Sequence, residues 1–123
     1  MASPITYSAT VLGAPEGRAL GRFYQRLLDW EVVSDEADWF MLRPPGGGAG
    51  LSFQTEKEHT PPTWPAGADE QQMQLHLDLQ VTDLAAGSRH AEECGAVLAE
   101  FQPQENVRVY LDPAGHPFCL FVD

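Results

Sequence analysis

Met73-Gln74-Leu75-His76-Leu77-Asp78-Leu79-Gln80-Val81, followed at once by Thr82-Asp83-Leu84, is the stretch on which the fold turns. Met, Leu and Val alternate with Gln, His and Asp, so one face is apolar and the other polar. A period of two sustained over nine residues predicts a strand from Met73 to Val81. Asp83 is placed to cap a helix running to about Cys94, with Leu84, Ser88, Ala91 and Cys94 along one side and Gly95 as its stop. Three further strand patterns follow at Val97–Gln102, Val107–Leu111 and Phe118–Val122, the last two joined by the turn Asp112-Pro113-Ala114-Gly115-His116-Pro117.

Working back from Met73, the same order of elements is found again. Ile5 to Leu12 reads as a strand, and Pro15-Glu16 opens a helix whose Leu20, Phe23, Tyr24, Leu27 and Leu28 form one apolar face. Gly21 inside that helix costs up to about 1 kcal/mol relative to alanine, a cost acceptable where a strand packs closely. Strand-like pieces at Glu31–Ser34, Trp39–Arg43 and Leu51–Thr55 complete this half, with Pro44-Pro45-Gly46-Gly47-Gly48-Ala49-Gly50 as a flexible turn. Residues 56–72, carrying Pro61, Pro62 and Pro65, have no periodicity and serve as a crossover. The expectation is a single α+β domain over residues 1–123, built of two βαβββ modules with mixed sheets, at about 4–55 and 73–123. At an offset of 67 residues Ala9 meets His76, Phe23 meets His90 and Ser52 meets Cys119. Identity between the halves is negligible, so the repeat lies in the pattern.

Composition narrows the function. The chain has 123 residues, enough for one main core. Eighteen acids against seven bases give a net charge of −11, which excludes a nucleic-acid partner because phosphate neutralisation needs Lys and Arg clusters. An acidic surface attracts cationic small molecules, though solubility is its plainer consequence. No apolar run reaches the roughly 20 residues that span a bilayer, and Met1-Ala2-Ser3-Pro4-Ile5-Thr6 lacks a basic segment followed by an apolar one. A cytoplasmic protein with no membrane partner and two reduced cysteines, Cys94 and Cys119, is expected.

Three stretches together, covering nearly the whole chain, resemble the glyoxalase/bleomycin-resistance/dioxygenase (vicinal oxygen chelate) superfamily, in its glyoxalase-like branch. They are residues Arg22-Phe23-Tyr24-Gln25-Arg26-Leu27-Leu28-Asp29-Trp30-Glu31-Val32, Leu75 to Asp83, and Leu111-Asp112-Pro113-Ala114-Gly115-His116-Pro117-Phe118-Cys119-Leu120. The resemblance implies curved sheets enclosing a cleft, homodimers, and in typical enzymes a divalent metal held by residues of the first and last strand of each half. Those four positions fall on Ala9, Ser52, His76 and Cys119. Only His76 is a conventional ligand, Ala9 has no donor, Ser52 is poor, and Cys119 stands where a glutamate is usual. A metal needs three or four good ligands, so no cofactor is expected; a divalent metal through His76 is the disfavoured option.

The cleft that the resemblance implies makes His76 the candidate catalytic residue, as hydrogen-bond partner or general base; the plainer alternative is a polar face meeting water. Asp78, two residues on, is placed to fix the His76 tautomer or bind a cationic group, unless it is a solvated acid. Ser52, Gln54, His76, Asp78 and Cys119 form the polar part of the expected ligand-binding set, and Trp39, Trp64, Tyr110 and Phe121 its aromatic part. Trp64 sits in the proline-rich crossover, where it is free to act as a flap. Cys119 has apolar neighbours and reads as inert packing rather than a nucleophile; Cys94 reads as core, and Trp30 as packing on the first helix. His59, His90 and His116 have no partners at ligand-like spacing, and the Gly46–Gly50 run lacks the Lys-Ser/Thr of a phosphate loop.

Three functions compete. The first is a metal-independent small-molecule-binding protein of the bleomycin-resistance kind. The second is a lyase, isomerase or dioxygenase using His76. The third is an accessory module with a vestigial cleft.

Overall fold

Two runs of strand, helix and three strands order the chain: β1 (Ala9–Ala14), α1 (Gly17–Leu28), β2 (Glu31–Asp35), β3 (Trp39–Arg43) and β4 (Gly50–Thr55), then β5 (Leu77–Gln80), α2 (Leu84–Cys94), β6 (Val97–Leu98), β7 (Val107–Leu111) and β8 (Pro117–Phe121). This is a computed structural model describing residues 3–123; Met1 and Ala2, part of the stretch read for a leader, lie outside the described residues. The chain divides into two compact units, Met1–His59 and Thr60–Asp123, with the break inside the expected crossover. Each unit holds one four-stranded mixed sheet, ordered β1-β4-β3-β2 in the first and β5-β8-β7-β6 in the second. In each, the first and last strands run parallel and the remaining pairs antiparallel. The α+β architecture of two βαβββ modules is therefore what the sequence pattern predicts.

In the first unit α1 lays Leu20, Phe23 and Tyr24 against the sheet, and these side chains are fully buried together with Phe40, Leu42 and Phe53. Tyr24 stacks on Phe53 with ring centroids 5.5 Å apart. A Cβ added at Gly21 would stand 2.1 Å from Phe40 Cδ2, so the helix can approach β3 only because this position has no side chain. The helix starts two residues later than Pro15 leads one to expect. Glu16 is the N-cap residue but makes no side-chain cap bond, and Thr55 Oγ1 accepts from Gly17 N at 3.1 Å instead.

The second unit uses smaller residues. α2 buries only Ala91, and the core is completed by Ala96, Ala99, Val109, Tyr110, Phe118 and Leu120. Its caps are those predicted: Asp83 accepts from Ala86 N at 3.1 Å, and Gly95 closes the helix with φ 111°, a left-handed conformation costly for other residues. β2, β4 and β8 differ from expectation by one residue at one end or both, and three strands differ by more. β1 begins at Ala9 rather than Ile5, and Ile5 and Tyr7 are exposed. β5 covers only Leu77–Gln80 of the nine alternating residues, because its partner β8 begins at Pro117 and the ladder starts at Leu77↔Phe118. Leu75 consequently stays exposed. β6 stops at Leu98: Ala99 N still donates to Val109 O at 3.0 Å, but the Gln102 side chain takes the place of a backbone acceptor, accepting from Val109 N at 2.8 Å and donating to Val109 O at 2.9 Å.

The pattern offset survives in the ladders. Asp78↔Cys119 in the β5–β8 pair lies 67 residues beyond Val11↔Ser52 in the β1–β4 pair. Among the described residues no helix is long and apolar enough to cross a membrane.

Candidate functional site

The parallel pairing of β5 with β8 sets Asp78 directly opposite Cys119. His76 precedes Asp78 by two residues, so both side chains project from the same face of the strand. The imidazole Nε2 and Asp78 Oδ1 are 3.1 Å apart. One donor atom from each of His76, Asp78 and Cys119 lies within 4.8 Å of the others. These residues form the polar wall of a hollow of about 310 Å³, whose remaining lining is Gln104, Val107, Phe121 and Val122.

The three groups differ in exposure and hence in chemistry. The His76 and Asp78 side chains are 39% and 63% exposed, whereas Cys119 is half-buried. Burial pushes the Cys119 thiol above its ordinary pKa, and the Asp78 charge adds to the effect, so the sulfur stays protonated at neutral pH. A hydrogen bond across this separation would use Nε2–H and leave Nδ1 as the ring's acceptor nitrogen. The arrangement thus offers a hydrogen-bond acceptor, a carboxylate and a soft sulfur beside an aromatic ring.

Of the nine residues expected to bind ligand, the hollow collects His76, Asp78, Cys119 and Phe121. Of the other five, Ser52, Gln54 and Trp39 belong to the first unit, and Trp64 and Tyr110 to the second. Ser52 is buried in β4, and Gln54 of the same strand donates to Glu56 Oε1 at 2.8 Å. Trp39 opens β3 as the register partner of Gln54. Trp64 is anchored within the second unit, its indole N–H donating to Phe101 O at 3.3 Å and its ring 6.1 Å from that of Phe101. Tyr110 is 1% exposed, stacks on Phe118 and donates to Glu92 Oε2 at 2.5 Å, so its ring belongs to the core. Sequence reading missed Gln104, Val107 and Val122. Gln104 lies in an aperiodic loop, but the antiparallel pairing Val107↔Phe121 would have pointed to Val107.

The four positions at which the resemblance implies a metal do not fit one. Ala9 offers only a methyl group and Ser52 a single buried hydroxyl. Counting by position also leaves out Asp78, which the β5–β8 ladder brings to Cys119.

The first unit has a hollow of its own, about 450 Å³, lined by Glu16, Arg18, Arg22, Asp38 and Lys57 among others. Arg18 Nε is 2.8 Å from Asp35 Oδ1, and Arg22 also pairs with Asp35; with Glu16 and Asp38 in the lining, three acids stand against the three cations Arg18, Arg22 and Lys57.

Residues 9–121 match the family described as Glyoxalase-like domain. No curated protein matches the chain in sequence. Among solved structures, the chain is similar to a glyoxalase/bleomycin resistance protein/dioxygenase family enzyme from Burkholderia phytofirmans PsJN. The TM-score is 0.72 at 15% identity, over 96% of this chain and 98% of that one. A possible glyoxalase from Bacillus cereus gives 0.68 at 12% identity, over 95% and 98% of the two chains. TnmS3, an antibiotic-binding protein from Streptomyces sp. CB03234, gives 0.58 at 16%, over 98% of each. At such identities these likenesses concern the fold.

Proposed function

This chain belongs to the glyoxalase-like domain family, and on that premise we propose that it is a small-molecule-binding protein without the family's standard four-position metal site. The observation that carries this reading is the hollow of the second unit, where His76, Asp78 and Cys119 converge beside Phe121, Val107 and Val122. A few convergent polar groups in an otherwise apolar concavity are what orient an organic ligand. At about 310 Å³ the hollow lies at the small end of ligand pockets, which begin near ~300 Å³. Asp78 and the net charge of −11 favour a ligand with a cationic or hydrogen-bond-donating head, and Phe121 favours a flat body. That a protein of similar fold binds an antibiotic supports drug-like compounds as the first class to try.

The test is a thermal-shift screen of the chelator-treated protein against amine-bearing aromatic compounds. A ligand at a hundred times its Kd stabilises by about 2.7 kcal/mol, and the shift should vanish in Phe121→Ala and shrink in Asp78→Asn. A panel that leaves the melting temperature unmoved, or shifts insensitive to both substitutions, would overturn the assignment.

A second reading rests on the 3.1 Å His76–Asp78 pair, in which a carboxylate orients an imidazole as general base. It makes the protein a lyase, isomerase or dioxygenase of the same superfamily. Turnover of 2-oxoaldehyde–thiol adducts or catechols that is lost in His76→Ala, with the fold intact, would support it; no turnover by the unmodified chain sinks it. In either reading the chain acts in the cytoplasm as a homodimer, which light scattering of the purified protein checks.

A further inference from the structure

We propose that the hollow of the first unit binds a small zwitterion of the amino-acid class, its carboxylate held by Arg18 and Lys57 and its ammonium by Glu16 and Asp38. At about 450 Å³ this hollow lies within the range of organic-ligand pockets, roughly 300–1,000 Å³. One side chain ties its frame together. Thr55, at the end of β4, accepts from Gly17 N at the start of α1 and donates to Ala37 O in the turn between β2 and β3. Thr55 N also donates to Asp38 O at 3.1 Å. A Cβ added at Gly17 would stand 2.9 Å from the backbone of Gln54, so α1 begins pressed against β4. The charged side chains therefore stand on braced backbone, as a site that orients a ligand requires.

Seven bases serve the whole chain, and three of them, Arg18, Arg22 and Lys57, line this one hollow. Arg18 and Arg22 stand one helical turn apart and share Asp35. Arg22 is further fixed over the Phe40 ring, 4.9 Å from its centroid. Asp35 engages Arg18 at Nε and, through its backbone oxygen, at Nη2. A guanidinium carries five N–H donors, so Arg18 keeps those of Nη1 for a ligand. One carboxylate between two guanidiniums also leaves one positive charge over. Lys57, Glu16 and Asp38 take part in no ion pair among the described residues. Two cationic charges and two carboxylates thus line one hollow without matching each other. A simple anion would meet Glu16 and Asp38, and a simple cation would meet Arg18 and Lys57. A ligand carrying both charges completes both sets through charge-assisted hydrogen bonds. This hollow shares no residue with that of the second unit, so the two binding readings stand or fall separately.

The full chain, isotope-labelled for amide spectra, is titrated with L-alanine, ε-aminocaproate and trialanine, which carry the two charges at different separations. Acetate and ethylamine, with one charge each, are the comparison. The amide signals of Ala19 and Ala37, which line the hollow, report occupancy. At least one zwitterion should saturate at one equivalent and bind about tenfold or more tightly than either single-charge probe, and the one that does so gives the charge separation recognised. Arg18→Gln, Lys57→Gln and Asp38→Asn should each weaken that zwitterion by roughly tenfold or more, the value of one charge-assisted bond. Lys57 and Asp38 are exposed, so their substitutions test the site even if Arg18→Gln, which loses the Asp35 pair, fails to fold. Arg89→Gln removes one positive charge from an exposed position on α2 and should leave binding unchanged. Absence of a saturable shift with all three zwitterions, equal binding of acetate or ethylamine, an affinity indifferent to Lys57→Gln or to Asp38→Asn, or an equal loss in Arg89→Gln would each overturn the site.

Discussion

At the scale of single residues, Cys119 and Tyr110 are both held in their protonated forms, for different reasons. For Cys119 burial is the larger cause and the Asp78 charge the smaller. In chelated Cys94→Ser protein, the pH midpoint for alkylation of Cys119 should therefore lie above 9.0, the ordinary value for a thiol. Asp78→Asn should lower it only part of the way, because burial remains; an unmoved midpoint would show that the carboxylate is not felt at the sulfur. For Tyr110 burial again leads, followed by the hydrogen bond to Glu92. A folded-state pKa raised above 10.0 contributes stability that is complete below pH 10 and is lost as pH rises through the higher folded value. Tyr110→Phe should cost about 1 kcal/mol at neutral pH and flatten the decline in melting temperature above pH 10. The sequence made His76 and Asp78 legible as neighbours, since a period of two sets them on one face. It did not reveal that Cys119 stands opposite Asp78, because that contact depends on a parallel pairing across some forty residues of chain.

Elements were legible where local pattern and tertiary pairing agree. The face of α1, the Asp83 cap, the Gly95 stop and the bounds of β3 and β7 all follow from spacing and cap chemistry. Strand ends were less legible: alternation from Met73 to Val81 describes a capacity to form strand, and β8 determines how much is used. β6 shows the same limit, since the Gln102 side chain substitutes for backbone partners. Removing that substitute in Gln102→Ala leaves Val109 N without this partner, while Val109 O keeps Ala99 N, and should destabilise by about 1–3 kcal/mol, measured by urea denaturation. Gly21→Ala sets two effects against each other. Alanine gains up to about 1 kcal/mol of helix propensity, but its Cβ would stand 2.1 Å from the fully buried Phe40 ring. Overpacking of this kind costs about 1–3 kcal/mol, so net destabilisation is expected, and a rise in the urea midpoint would show that α1 and β3 are not so tightly apposed.

For the molecule as a whole, a net charge of −11 on 123 residues is a standing self-repulsion. Raising ionic strength from about 0.01 M to 0.15 M shortens the screening length from roughly 30 Å to 8 Å. The melting temperature should climb by a few degrees over that interval, and a flat or falling salt profile would mean that the acids are locally compensated. The two units answer that common load with different cores, an aromatic one under α1 and an alanine-rich one under α2. Their ladders are nevertheless in step, Val11↔Ser52 and Asp78↔Cys119 being equivalent rungs. Equivalent rungs make the halves interchangeable sockets, into which side chains plug without redrawing the backbone. Ala9→His, Val11→Asp and Ser52→Cys together would write the second half's trio onto the first, and the edited chain should keep a cooperative melt; a chain that no longer folds would show that the rungs are not equivalent.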